Sequence, residues 1–124
     1  MEKTSARILV VDDDESILLL MRNILREFQF EPLTARSGEE AISLARQSQP
    51  HLVLLDMRMP GMDGHDVIGA LRAEPELTGV PILILSGERL TQEQIASCGA
   101  AGAIQKPFDL TELLEEIRRH AVQA

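Results

Sequence analysis

Five short apolar runs punctuate the chain, and between them apolar residues recur every three or four positions. Ile8-Leu9-Val10-Val11 is the first run and stops at Asp12-Asp13-Asp14-Glu15. Pro32-Leu33-Thr34-Ala35 is a weaker second, and Leu52 to Asp56 is the third. Pro81-Ile82-Leu83-Ile84-Leu85-Ser86 is the fourth and Ala103-Ile104-Gln105-Lys106 the fifth. Short runs rich in branched residues, without polar alternation, predict strands covered on both faces.

The intervening stretches predict helices. Ile17, Met21, Ile24, Leu25 and Phe28 share a face of the first, with Ser16 or Asp14 as its cap. After Ser37-Gly38, the stripe Ala41, Ile42, Leu44 and Ala45 marks a helix from Glu39 to Gln47. Val67, Ile68 and Leu71 mark a third, which follows the turn Asp63-Gly64 and ends near Glu74-Pro75. A short, poorly apolar helix runs from Thr91 to Ser97. Leu110, Leu113, Leu114, Ile117 and Val122 line the last, capped by Asp109 or Thr111. Strand then helix, five times, implies a parallel sheet with helices on both faces. Ligands of such sheets bind beyond the carboxyl ends of the strands.

Composition narrows the picture. With 124 residues the chain suits a single domain around one core, and with three Phe, no Trp and no Tyr that core must be aliphatic. A net charge of -8 argues against a nucleic-acid partner, because phosphate backbones need clustered Lys and Arg. Cys98 is the one cysteine, so no internal disulfide can form and a cytoplasmic location is expected. No apolar run is long enough to cross a bilayer, so no membrane association is expected, and Met1 to Ser5 reads as a short polar tail.

The predicted strand ends carry the chemistry. They present Asp12 and Asp13, Asp56, Ser86 and Lys106. Converging carboxylates repel by roughly 4 kcal/mol per close pair at about 4 Å and an effective dielectric near 20, so they favour a cation. Hard oxygen donors suit Mg²⁺. A metal, a carboxylate, a hydroxyl and an ammonium group together suggest phosphoryl transfer, with Asp56 as nucleophile.

The motifs "ILVVDDDES", "LVLLDMRMPGMDG", "PILILSG" and "GAIQKPF", in this order, resemble the receiver domains of bacterial two-component response regulators. The resemblance implies a doubly wound (βα)5, flavodoxin-like three-layer sandwich with strand order 2-1-3-4-5, one receiver domain over residues 1–124. It implies that Asp56 is the phosphoacceptor, with Ser86 and Lys106 assisting. Asp13 would be the direct acidic Mg²⁺ ligand, Asp12 would act largely through water, and Asp56 and the Arg58 carbonyl would complete the set. The Lys106-Pro107 bond would be cis. The implied partners are a histidine kinase or histidine phosphotransfer protein as donor, and a downstream protein on the face of the fourth helix, fifth strand and fifth helix. The implied chemistry is limited to the domain's own phosphorylation and dephosphorylation. Ala103 stands where the family often has an aromatic switch residue, so switching must use other means. Arg58 and Glu88 are placed to form an ion pair over the site.

Competing readings are less economical. An aspartate-nucleophile phosphatase needs a second acid two residues after the nucleophile, where this chain has Arg58. A flavin protein needs an anion cradle after the first strand, where Asp12-Asp13-Asp14 would repel phosphate. Asp14 and Glu15 read as capping and surface charge. His51, His65 and His120 lack metal or triad spacing and read as structural or surface residues. Met57, Met59 and Met62 read as gap fillers beside the site, and Cys98 as a small buried residue.

Overall fold

The computed structural model describes residues 6–59 and 61–121. The polar tail at 1–5, Pro60 in the predicted chain break and Val122 of the last predicted stripe lie outside the described residues. Strands β1 (Arg7–Val11), β2 (Glu31–Ala35), β3 (Leu52–Asp56), β4 (Ile82–Ser86) and β5 (Gly102–Gln105) alternate with helices α1 (Glu15–Glu27), α2 (Gly38–Ser48), α3 (Gly64–Ala73), α4 (Gln92–Ser97) and α5 (Leu110–His120). The strands pair in parallel in the expected order β2-β1-β3-β4-β5. Val11 lies beside Ala35 and Leu55, Asp56 beside Leu85, and Ser86 beside Gln105. This register brings the ends of β1, β3, β4 and β5 to one edge, and the order reverses between β1 and β3, where a crevice opens.

Successive strand side chains point to opposite faces. Ile8, Val10, Leu52, Leu54, Leu83 and Leu85 pack with Leu18, Met21 and Leu25 of α1 and Leu113 and Ile117 of α5. Leu9, Val11, Val53, Leu55 and Ile82 pack with α2, through Ala41 and Ala45, and with α3, through Val67, Ile68 and Leu71. With both faces covered, the strands carry no polar alternation. Helix α4 is the exception, since Ile95 is its one buried residue.

Local chemistry sets the helix starts. Asp14, rather than Ser16, caps α1 by accepting the Ser16 N–H, and Asp109, rather than Thr111, caps α5 by accepting the Glu112 N–H. Ser37 caps α2, whereas Asp63 with Asp66 and Thr91 with Gln94 form reciprocal capping boxes on α3 and α4. Several details differ from expectation. The buried stripe of α1 is Leu18, Met21 and Leu25, and it leaves Ile17 and Ile24 partly covered. Strand β5 begins at Gly102 and releases Lys106 just past its end. A short 3-10 turn, Pro75–Leu77, buries Leu77 before β4.

Candidate active site

Strand β1 ends where the Asp12 N–H donates to the Ala35 carbonyl. The Asp12 side chain is then only 1% exposed. Its Oδ1 accepts the Asp14 N–H at 3.0 Å, and its Oδ2 accepts Lys106 Nζ, also at 3.0 Å. Asp56 closes β3 and is 8% exposed. Its Oδ1 accepts the Arg58 N–H at 3.1 Å, which fastens the following loop to it, and its Oδ2 lies 3.7 Å from Lys106 Nζ. Asp13 is exposed, yet one oxygen from each of Asp12, Asp13 and Asp56 lies within 4.8 Å of the others. The Lys106 N–H donates to the Ser86 carbonyl at 2.7 Å, its side chain reaches Asp12, and the Lys106-Pro107 bond is cis.

Burial pushes the Asp56 carboxyl above its ordinary range; the Arg58 N–H opposes that rise, the Asp12 charge adds to it and the Lys106 ammonium opposes it. Three carboxylates therefore cluster where a single ammonium pairs with two of them. This excess of hard oxygen donors fits a divalent cation such as Mg²⁺, which takes carboxylates while keeping several waters.

Ser86 borders the same cavity as Asp56, a space of about 340 Å³ between β3, β4 and α4 that Arg58, His65, Leu90 and Cys98 also line. The Ser86 hydroxyl oxygen accepts the Glu88 N–H at 3.0 Å. Arg58 Nη2 and Glu88 Oε2, both exposed, pair at 3.4 Å as the spacing predicts. All the expected site residues thus gather at one edge of the sheet. Asp12, Asp13, Asp56 and Lys106 form the tight group, and Ser86 and Arg58 flank it.

The model of the response regulator receiver domain matches residues 8–118. The chain belongs to this family. Among curated relatives it is 38% identical over 120 residues to the DNA-binding response regulator MtrA of Mycobacterium tuberculosis, a match that covers 95% of this chain and 51% of the relative. The chain therefore spans about half the length of such relatives. Among solved structures it resembles the chemotaxis protein CheY4 of Vibrio cholerae, with a TM-score of 0.89 at 30% identity over 94% of this chain and 99% of that one. It also resembles the receiver domain of the sensor histidine kinase PA1611 of Pseudomonas aeruginosa, with a TM-score of 0.86 at 25% identity over 95% and 98% of the two chains. That domain holds a magnesium ion in its active site cleft.

The methionines fill space as expected. Met59 is buried, Met57 packs where a Cβ on Gly64 would sit, and Met62 does the same at Gly38. Two features escaped the sequence reading. His51 Nδ1 accepts the Arg7 N–H at 2.9 Å, tying α2's exit to β1; spacing tests for metals and triads do not detect such a bond. Ile17, Leu20, Ile24, Phe108 and Leu110 line an apolar groove of about 490 Å³ that ends at Lys106. Its signal was the surplus of leucines in α1, of which Leu19 and Leu20 stay exposed.

Proposed function

We propose that Asp56 accepts a phosphoryl group from the phosphohistidine of a histidine kinase or histidine phosphotransfer protein. The observation that carries this reading is the gathering of Asp12, Asp13 and Asp56 at the strand ends, with the Lys106 ammonium against Asp12 and Asp56. An Asp56 carboxylate oxygen attacks phosphorus, the phosphorus–nitrogen bond breaks, and its electrons return to the imidazole of the donor. The product is an acyl phosphate, later cleaved by water. Asp12, Asp13, Asp56 and the Arg58 carbonyl would hold Mg²⁺, which supplies neutralising charge for the phosphoryl oxygens.

The residues of the chain prepare that step. The Arg58 N–H fixes one Asp56 oxygen and so orients the other. Lys106, held by Asp12, is placed to follow charge onto the incoming phosphoryl oxygens. The Ser86 hydroxyl supplies a further hydrogen bond from the cavity side. The apolar groove continuous with Lys106 suits a docked donor helix, which would seat its histidine beside Asp56.

In this reading residues 1–124 form one receiver domain whose catalysis is confined to its own phosphorylation and dephosphorylation. The α4-β5-α5 face meets the downstream protein, and this domain itself holds no nucleic acid. A cytoplasmic location is part of this reading, and no described helix is long and apolar enough to cross a membrane. The test is incubation with radiolabelled acetyl phosphate. Label should enter the protein with Mg²⁺ present, and should be lost with a chelator or in Asp56→Asn. Equal labelling of that variant would remove the proposal.

A further inference from the structure

The loop joining β4 to α4, residues 87–91, separates two cavities. One is the space beside Asp56 and Ser86. The other is a groove of about 490 Å³ over β5, with Ile95, Ala101, Gly102 and Ala103 among its lining and Glu112 and Arg119 of α5 along its side. Glu88 and Leu90 are the residues that border both. Gly87, Glu88 and Arg89 are exposed, whereas Leu90 is half-buried.

Glu88 ties this loop to the site twice. Its N–H donates to Ser86 Oγ, and its carboxylate pairs with Arg58. A phosphoryl dianion on Asp56 competes with Glu88 for Arg58, and it draws the Ser86 hydroxyl, which can donate to a phosphoryl oxygen while still accepting the Glu88 N–H and so carries the loop with it. The same group, with its hydration, takes up part of the cavity beside Asp56 and makes it a poor place for an aliphatic side chain. On the far side Ala103 and Gly102 leave room, and Ile95 and Ala101 offer apolar contact.

We propose that Leu90 is the moving element of this receiver: on phosphorylation it leaves the cavity beside Asp56 and settles into the groove over Ala103, reshaping the surface between α4 and α5. This rests on the phosphoacceptor reading and deepens it. No aromatic ring on β5 is needed, because the small residue there is the receiving end of the movement. Helix α4, in which Ile95 is the one buried residue, has little packing to resist such a shift.

The test is methyl NMR of the intact protein with Mg²⁺ and beryllofluoride, a mimic of the phosphoryl group. A bound-fluoride signal in the ¹⁹F spectrum reports occupancy of the site independently. The expected result is that Leu90 methyl contacts to Ala103 and Ile95, which line the groove over β5, grow on binding. In Ala103→Leu, which fills the groove, fluoride should still bind but the Leu90 shift should be abolished. Bound fluoride with unchanged Leu90 contacts would overturn the inference and leave the phosphoacceptor reading standing. Absence of bound fluoride, by contrast, would remove both.

Discussion

Replacing Asp56 with Asn should stabilise the protein when no divalent cation is present. Oxygens of Asp12 and Asp13 lie within 4.8 Å of an Asp56 oxygen. At an effective dielectric near 20 each such pair costs about 3.5 kcal/mol, while Lys106 at 3.7 Å returns about 4.5 kcal/mol. Repulsion therefore exceeds attraction by about 2.5 kcal/mol, and water around the exposed Asp13 reduces the excess. Burial acts in the same direction and is the first cause of the raised Asp56 pKa. A carboxyl raised in the folded state costs stability as pH climbs from its unfolded value, near 4, through its folded one. Above the folded value that cost is present in full, and the amide removes it. A gain of about 1–2 kcal/mol is expected, or about 4–8 °C in Tm for a domain of this size. The assay is thermal unfolding at pH 7 in a chelator, followed by circular dichroism. Adding Mg²⁺ should narrow the gap, since ligand binding stabilises the parent by mass action. A chelated Asp56→Asn protein less stable than the parent would refute the electrostatic reasoning.

Other outcomes follow from particular contacts. A Cβ on Gly64 would lie 2.7 Å from the Met57 backbone, so Gly64→Ala should lose about 2 kcal/mol or more in urea unfolding. Gly69, with open space around it inside α3, should instead gain about 0.5–1 kcal/mol as Ala. Burial and then the charge of Arg7 lower the His51 pKa, and its Nδ1 must stay unprotonated to accept the Arg7 N–H. That contribution to stability is complete above pH 6.5 and is lost as pH falls below it. His51→Asn should flatten the slope of unfolding free energy between pH 7 and 5, and an unchanged slope would count against the bond. The Arg58–Glu88 pair is exposed, so Arg58→Ala should shift stability by less than about 1 kcal/mol. By opening the site to water it should speed loss of label from the phosphorylated protein, and an unchanged decay rate would show that the pair does not shield the site.

Much of the fold was legible because buried parallel strands are unbroken apolar runs and the helices between them carry stripes. Leu52 to Leu55 and Ile82 to Leu85 are buried throughout, as such strands must be. Helix α1 was harder. Its leucines surround most of the cylinder, and periodicity alone did not show that Leu18 would be buried while Leu20 would line an open groove. The β5 boundary slipped by one residue because Gly102 pairs through its backbone with β4, which its missing side chain does not advertise. At the site, Asp12, Asp56 and Lys106 were readable as polar residues ending apolar runs. The partner of the Ser86 hydroxyl was not, because a hydrogen bond from Glu88 depends on how the loop folds back. The sharing of Leu90 between two cavities is likewise a property of three-dimensional packing.

The central claim is that Asp56, among the three clustered carboxylates, forms the covalent bond to phosphorus. Borohydride reduces an acyl phosphate of aspartate to homoserine, which marks the acceptor permanently for peptide mass spectrometry. After treatment with acetyl phosphate and Mg²⁺, homoserine is expected at position 56 and at neither Asp12 nor Asp13. Homoserine at position 12 or 13, or at none of the three in protein that carries the label, would contradict the account.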